Sequence, residues 1–381
     1  MTKLHLSISS SDPSQKEYKF RIAAVLFSAV FLLSGLLFLD RLLLPKWLDD
    51  PLWEPATEIV TGFYEEERDS LDVLFLGSSH VFCGVNPLRV YEESGLTSYD
   101  LSSGLQRTWM SYYYLEEALK TQKPQVVVLD TAGLFMDTQN EESRNRMAID
   151  YMRPSMTKWK AAAASRQPGE SMVSYVFPSI RFHARILDLE KSDFTWLFRK
   201  DRHHYLHGYR FAYMDKVTPV TFLDVKSMAY NGRGIGPDSG TEVLWPEGSK
   251  SKEYLCRISE LCRQKGIRLM LVTIPVTKAW DPERHELVRQ FAEESGAEYM
   301  DFVGREAEIG LDPESDFYDA SHLNIDGAHL FSGFLGRLLR EQYFPGKPEE
   351  NRQRHSPAAE EQWKQDLRRY YENYSIRNAL P

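Results

Sequence analysis

Short apolar segments alternate with amphipathic segments along most of this chain. Strand-like apolar runs lie at residues 72–76, 98–101, 125–130, 267–274 and 298–302. Helical spacing of apolar side chains marks residues 109–121, 251–265, 282–295 and 326–341. Apolar strands that alternate with amphipathic helices are typical of a parallel sheet covered on both faces. The sequence therefore predicts a three-layer α/β/α fold.

The alternation stops between residues 132 and 248, where Arg, Trp, Tyr and His are frequent. A stretch of this length is too long for an ordinary loop. We expect an insertion of helices and irregular chain over the carboxyl edge of the sheet. A domain at 71–345 would contain it, after a linker at 45–70. The polar tail at 346–381 includes a segment, 360–371, that can form a surface helix.

Residues 22–39 contain no charged side chain, and three leucines follow at 42–44. Eighteen helical residues at about 1.5 Å each nearly cross the hydrocarbon core of a bilayer. We therefore predict a transmembrane helix at 22–44. A cleaved signal peptide is the alternative, but the apolar run is long for a signal core and no Ala-x-Ala type site follows it.

Charges flank this apolar run unequally. The segment before it carries basic residues, Lys3, Lys16, Lys19 and Arg21, and the segment after it carries acidic ones, Asp49, Asp50 and Glu54, with Lys46. The positive-inside rule predicts that residues 1–21 are cytoplasmic and that the chain from residue 45 onward lies outside the cell membrane.

Composition excludes some functions for the 381-residue chain. The formal net charge is -9 and no long basic stretch is present, which argues against a nucleic-acid partner. The cysteines, Cys83, Cys256 and Cys262, are too few for a disulfide framework or a metal site. The last two are expected to be buried packing residues.

Two short motifs carry the chemistry. The apolar run 73–76 stops at Gly77-Ser78-Ser79, the pattern of a buried strand that delivers a serine to the carboxyl end of a sheet. Far downstream, Asp319 and His322 lie three residues apart. A serine hydroxyl needs a base to accept its proton, and that base needs a partner that fixes its tautomer. Ser79, His322 and Asp319 can fill these roles, with Ser78 as the alternative nucleophile.

The order of these motifs resembles the SGNH/GDSL hydrolase superfamily, with Gly77-Ser78-Ser79 in place of its Gly-Asp-Ser block. The resemblance covers roughly 70–131 and 265–341 and implies a flavodoxin-like fold. It also implies that the backbone N–H of Gly104 helps to form an oxyanion hole. Where the family usually places an asparagine after the third strand, this chain has Asp130, and an ionised aspartate cannot donate a hydrogen bond. Thr131 or a backbone N–H would then substitute.

This departure resembles the membrane-anchored DltD-like and alginate O-acetylation-like branch of the superfamily. That resemblance implies an extracytoplasmic serine esterase or O-acyltransferase that acts on acyl groups of an envelope polysaccharide or other glycan. A membrane-bound O-acyltransferase is the implied partner, and no cofactor is implied. The alternative is a non-catalytic scaffold with the same fold that assists such an acyltransferase.

Basic residues of the insertion are further candidates. His183 and Arg185 could bind an anionic or sugar substrate in a lid position, although structural pairing is the simpler interpretation. His203, His204 and His207 could suggest a metal site, but no paired acid or cysteine spacing accompanies them. We therefore predict a solvated or packing role for these histidines and no metal site.

Overall fold

The computed structural model describes residues 13–46, 56–137, 141–200, 202–211, 245–276, 282–319 and 322–378. The chain divides into two compact units. The larger unit comprises Lys46–Tyr175 and Lys200–Pro381, and the smaller comprises Met1–Pro45 and Val176–Arg199. Part of the segment predicted as an insertion, 132–248, therefore clusters with the N-terminal helix rather than with the sheet.

The larger unit is built on a five-stranded parallel sheet. Its strands are β1 (Val73–Gly77), β2 (Ser98–Ser102), β3 (Val126–Asp130), β4 (Arg268–Thr273) and β5 (Glu298–Asp301). They are arranged in the order β2-β1-β3-β4-β5, and every pairing is parallel. All residues of β1, β2 and β3 are buried, as in parallel sheets whose two faces are both covered, although β2 consists mostly of polar residues.

Helices occupy the connections between the strands and both chain ends. In chain order they are α1 (Pro13–Leu43), α2 (Ala56–Phe63), α3 (Ser79–Gly84), α4 (Pro87–Ser94), α5 (Thr108–Ala118), α6 (Glu142–Ile149), α7 (Met156–Ser165), α8 (Val173–Val176), α9 (Ser179–Phe182), α10 (Lys191–Leu197), α11 (Lys250–Lys265), α12 (Pro282–Ser295), α13 (Glu306–Ile309), α14 (Ile325–Tyr343), α15 (Pro348–Arg352) and α16 (Pro357–Asn378). The described residues also form two 3-10 helices, η1 (Thr131–Phe135) and η2 (His183–Leu187).

Two helix pairs pack beside the sheet. Helix α4 contacts α14, and α5 contacts α11. Parallel strands are joined by right-handed crossovers, and the chain moves one way along the sheet from β1 to β2 and the other way from β2 to β3. The connections that contain α4 and α5 therefore lie on opposite faces. The predictions of an α/β fold and a parallel sheet are confirmed.

Some local predictions differ from the structure. The sequence pattern missed α3 and α4, which are short and lie directly after the first serine motif. Cys256 is exposed, so the prediction that it packs in the interior is wrong, whereas Cys262 is buried. The polar tail contributes α16, which buries Trp363 and Tyr370 among its charged residues.

The smaller unit contains one helix that is long and apolar enough to cross a membrane. The candidate span is Glu17–Leu43, with a mean hydropathy of 2.6 over its most apolar window, and none of that window is buried. Its contacts are with α9, η2 and α10. The N-terminal helix predicted from the uncharged run is present, and it begins nine residues earlier, at Pro13.

Candidate active site

The two sequence motifs meet at the carboxyl edge of the sheet. Strand β1 ends at Gly77, and α3 begins at Ser79. The connections from β1 and into β3 leave the sheet on opposite sides, so the crevice between these strands is the topological switch point. In open α/β sheets, ligands bind at this crevice outside the carboxyl ends of the strands.

Ser79, His322 and Asp319 form a continuous hydrogen-bonded chain. Ser79 Oγ lies 2.8 Å from His322 Nε2. His322 Nδ1 lies 2.9 Å and 3.0 Å from the two carboxylate oxygens of Asp319. Because a carboxylate only accepts, Nδ1 carries the proton and Nε2 presents its lone pair to the serine hydroxyl. This geometry suits proton transfer from Ser79 to His322.

The backbone around His322 holds the imidazole in place. The amide N–H of His322 donates to Asp319 Oδ1 at 2.9 Å, so one carboxylate fixes both the backbone and the ring. Two residues later, the side chain of Asn324 accepts hydrogen bonds from the first amides of α14. Asn324 is thus the N-cap of α14, and the cap fixes where the chain leaves the site.

A second contact ties α14 to the serine segment. The amide N–H of Asn86 donates to Ser332 Oγ at 2.7 Å, and Ser332 Oγ–H lies 3.3 Å from the carbonyl of Gly84. Both groups are buried. The turn after α3 is therefore bonded directly to the helix that follows His322.

The neighbouring serine, Ser78, is occupied differently. Its side chain is only 1% exposed and its hydroxyl donates to Asp130 Oδ2 at 3.2 Å. Ser78 Oγ also accepts a hydrogen bond from the backbone N–H of His80 and so caps α3. Ser78 thus supports the turn, whereas Ser79 faces the histidine base.

Gly77 permits a close approach between β1 and β3. A Cβ at this position would lie 2.5 Å from Val81 Cγ2 and 2.6 Å from Asp130 Cβ. Either distance is far inside van der Waals contact. The absence of a side chain at residue 77 is therefore what allows Asp130 to lie beneath the Ser78-Ser79 turn.

Burial changes the ionisation of the groups around this turn. It raises the pKa of Asp130 to about 7, although hydrogen bonds from Ala132 and Ser78 oppose the shift. Burial lowers the pKa of His80 to about 3, and the neighbouring His322 adds to this effect. The rings of His80 and His322 meet edge to face at 5.3 Å. His80 is therefore an uncharged side chain that contacts the ring of His322.

The two predicted oxyanion donors, Gly104 and Thr131, follow different strands of the sheet. Strand register pairs Gly77 with Ser102, so Ser79 and Gly104 each follow their adjacent strand ends by two residues. Thr131 is fully buried, and its hydroxyl lies 2.8 Å from that of Thr273 in β4. The Thr131 side chain is thus paired with the neighbouring strand.

The insertion supplies a cation that sequence reasoning missed. Arg144 in α6 lies against Gly104, since a Cβ built on that glycine would be 3.3 Å from the Arg144 guanidinium. Arg144 is exposed at its guanidinium side. No periodic or motif signal marks it, because its position depends on how α6 folds back toward β2.

The predicted substrate-binding pair, His183 and Arg185, belongs to the smaller unit. Arg185 donates to the carbonyls of Leu43 and Leu44 at 3.0 Å and 2.8 Å and pairs with Asp193. His183 Nδ1 lies 3.1 Å from the carbonyl of Ile180. These contacts are the structural pairing that the sequence analysis held as the simpler interpretation for Arg185.

No protein-family model matches this chain, and no curated protein matches it.

The raised pKa of Asp130 predicts a pH-dependent stability. The folded state holds the protonated acid up to about pH 7, whereas in the unfolded chain this carboxyl has its ordinary pKa of 3.8. Folding stability contributed by this group therefore falls as pH rises between these values, by roughly 4 kcal/mol at most. In Asp130→Asn the side chain stays neutral, so we expect the variant to gain stability relative to wild type as pH rises. Denaturant unfolding at a series of pH values measures the difference in the free energy of unfolding between the variant and wild type.

The matched control is Asp69→Asn, at an exposed aspartate on the surface. It should follow the wild-type pH dependence. If the free energies of unfolding of Asp130→Asn and wild type differ by a constant amount from about pH 4 to about pH 8, the raised pKa is contradicted.

Proposed function

We propose that this chain is a membrane-anchored, extracytoplasmic serine esterase or O-acyltransferase of the SGNH type, which works through an acyl-serine intermediate. The observation that carries the proposal is the hydrogen-bonded chain from Ser79 Oγ through His322 to Asp319. Its nucleophile, base and orienting acid are the three groups that acyl transfer by serine requires.

Two further observations support it. The strand order 2-1-3-4-5 is that of flavodoxin-like doubly wound sheets, and the three residues lie at the switch point of that sheet. The uncharged run 22–39, within the candidate span Glu17–Leu43, follows a basic N-terminal segment and precedes an acidic one, which favours an outward-facing larger unit.

The first half of the reaction forms the acyl-enzyme. Ser79 Oγ attacks the carbonyl carbon of an ester or thioester while His322 Nε2 takes the hydroxyl proton. The carbonyl oxygen becomes an oxyanion, held by the backbone N–H groups of Ser79 and Gly104. As the tetrahedral intermediate collapses, the bond to the leaving group breaks and His322 returns the proton to it. Asp319 keeps the imidazolium oriented throughout.

The second half releases the acyl group. A water molecule or a sugar hydroxyl gives its proton to His322 Nε2 and attacks the acyl carbon, and Ser79 leaves with that proton. Water makes the protein an esterase, and a glycan hydroxyl makes it a transferase. The resemblance to envelope acetylation proteins favours a polysaccharide or other glycan acceptor and a membrane-bound O-acyltransferase as the acyl source.

Arg144 gives the substrate side of the site a positive charge. It lies beside Gly104, where the oxyanion would be bound. A guanidinium near this position favours substrates whose acyl group or acceptor carries negative charge nearby. Envelope polymers with carboxylate or phosphate groups fit this requirement.

Covalent labelling tests the nucleophile. A fluorophosphonate forms a stable bond only with a serine that a base activates. We expect the full-length protein to be labelled and Ser79→Ala to lose labelling by at least about 100-fold. His322→Gln should lose labelling to a similar degree, because it removes the base. In-gel fluorescence in detergent measures all three.

Ser78→Ala is the matched control, because it removes the adjacent hydroxyl without removing the base contact. It weakens a helix cap, at a cost of about 1 kcal/mol, and should still be labelled. Equal labelling of wild type and Ser79→Ala would contradict the serine mechanism. That result would favour a non-catalytic scaffold for a membrane-bound O-acyltransferase.

A saccharide acceptor separates hydrolysis from transfer. With a p-nitrophenyl acetate type ester, both activities release the same phenolate during acylation. If the protein is a transferase, we expect added saccharide to accelerate turnover and to become acetylated at the expense of free acetate. Mass spectrometry of the saccharide measures the partition. Turnover that saccharide never diverts would rule out transfer to that acceptor class and leave the esterase.

A further inference from the structure

Three segments that are distant in sequence bring four titratable side chains together in the larger unit, away from Ser79. Glu66 follows α2, His203 and His207 lie on the loop before residue 212, and Asp366 lies on α16. Glu66, His207 and Asp366 have buried side chains, while that of His203 is 25% exposed. The carboxylate that sequence spacing did not offer to the histidines comes from the C-terminal helix.

The ligand-type atoms of His203, His207 and Asp366 all lie within 4.8 Å of one another. Asp366 Oδ2 is 2.8 Å from His203 Nε2 and 3.4 Å from His207 Nε2. Tetrahedral zinc, with bonds of about 2.0–2.1 Å, requires ligand atoms about 3.3 Å apart. The contact to His207 already has this spacing, and the one to His203 needs to open by about 0.5 Å.

His207 is oriented so that its Nε2, when it carries no proton, presents a lone pair to this point. His207 Nδ1 lies 2.9 Å from Glu66 Oε1, so Nδ1 carries a proton and donates it. The opposite atom, Nε2, is buried without a hydrogen-bond partner and faces Asp366, which can only accept. In most metal-binding histidines, the ring nitrogen that does not bind the metal donates its proton to a carboxylate or carbonyl. Glu66 has this position relative to His207 Nδ1, which leaves Nε2 for the metal.

The surroundings hold the His207 ring rigidly. Trp363 stacks on it, with ring centroids 3.7 Å apart and planes within 5°. The backbone of His207 has φ 49°, a left-handed conformation that is uncommon for a non-glycine residue, and its carbonyl accepts from the amide of Asp100 in β2. The imidazole is therefore fixed before any ligand arrives.

We propose that His203 Nε2, His207 Nε2 and Asp366 Oδ2 bind one divalent transition-metal ion of the zinc class, with solvent as the fourth ligand. Two imidazoles and a carboxylate are ligands that Zn²⁺ accepts, and Glu66 orients His207 from behind. With both imidazoles neutral, the two carboxylates balance the charge of the ion. The exposed side of His203 gives solvent its access.

The ion would join the end of the chain to the sheet. Helix α16 supplies Asp366, the loop of His203 and His207 is bonded to β2, and Glu66 follows α2. A metal held between them stabilises the folded arrangement, because the unfolded chain has no such site. The competing arrangement is a protonated His207 that bridges Glu66 and Asp366 with no ion.

Metal analysis of the full-length protein in detergent tests the proposal, with Zn²⁺ itself as the probe. After treatment with a chelator, we expect the protein to rebind about one Zn²⁺ and to melt at a higher temperature with zinc than without it. Co²⁺ in place of zinc should give a visible absorption band typical of four-coordinate cobalt. His203→Gln and Asp366→Asn should bind no Zn²⁺, and Glu66→Gln should bind it about 10–100-fold more weakly.

His329→Gln is the matched control, since His329 also contacts α16, through the Tyr370 hydroxyl, but lies outside the cluster. It should bind zinc as wild type does. If wild type binds no more Zn²⁺ than His203→Gln, or if zinc leaves its melting temperature unchanged, the metal site is excluded and the protonated bridge stands. His203→Gln changes a partly exposed side chain, so its folding can be checked separately by circular dichroism.

A different observation concerns the smaller unit. Residues 176–199 expose large apolar side chains at positions where a soluble surface would be polar, namely Val176, Ile180, Ile186, Leu187, Phe194 and Phe198. Leu187 is 86% exposed and Phe198 is 69% exposed. Contiguous exposed apolar side chains mark a surface that meets a membrane or another apolar partner.

These residues are bonded to the C-terminal end of α1. The amide N–H of Ser179 donates to Asp40 at 2.8 Å, and Arg185 donates to the last carbonyls of the helix, at Leu43 and Leu44. Arg185 thus satisfies carbonyls that a helix end leaves unbonded. The segment is therefore fixed at the height at which the apolar span ends.

We infer that residues 176–199 lie in the headgroup region of the bilayer and insert Ile186, Leu187 and Phe198 into lipid. The inference rests on the proposed membrane anchoring by α1. Short helices with exposed apolar side chains and aromatic residues suit this depth, where one side is apolar and the other wet. The protein would then be held in the bilayer by this interfacial platform, residues 176–199, as well as by the membrane-spanning helix α1.

Spin labels in liposomes test it, after Cys256→Ser removes the exposed native thiol. Labels are placed at Leu187→Cys, at Phe27→Cys within the span and at Lys265→Cys on the exposed end of α11. We expect the first two to be more accessible to oxygen, which enters lipid, and the third to a water-soluble nickel complex. Lipid exposure at 27 with water exposure at 187 would overturn the platform alone. Water exposure at 27 would overturn the anchoring itself.

Discussion

The hydrogen bond between Ser79 and His322 joins segments 243 positions apart, and the site depends on it. Neither segment can hold it alone. Strand β1 lies inside the sheet, between β2 and β3, and fixes the serine end. Packing of α14 on α4 fixes the histidine end, and the backbone N–H of Asn86, at the start of α4, donates to Ser332 in α14. The geometry of the base is therefore set by layer packing as much as by local sequence.

Asp130 shows how the interior of the sheet tunes this site. The carboxyl lies under the serine turn only because residue 77 has no side chain. The same burial that orients Ser78 makes ionisation of Asp130 costly and raises its pKa to about 7. A protonated acid can donate as an amide does, whereas an ionised one cannot. Near neutral pH, Asp130 is therefore partly protonated, and only its protonated form can donate a hydrogen bond.

Sequence patterns predicted strands such as Val73–Gly77 and Val126–Asp130, because each is a short apolar run that ends at polar or small residues. They also paired Ser79 with Asp319 and His322, whose residue types are rare together at such positions. They missed α3 and α4, since helices of six and eight residues span too few turns to show a period. Contacts such as Asp366 with His203, 163 positions apart, have no signature in local spacing.

Two histidines, the partly exposed His80 and the buried His207, show how such contacts set the charge of an imidazole. His80 Nδ1 lies 3.9 Å from Asp130 Oδ2, and burial lowers the pKa of His80 to about 3. Burial would do the same to His207, but Glu66 and Asp366 outweigh it and raise its pKa to about 9. A cation at His80 would oppose the imidazolium that the proposed mechanism forms at His322, 5.3 Å away between ring centres. In the proposed mechanism, the neutral state of His80 therefore leaves His322 able to take the proton of Ser79.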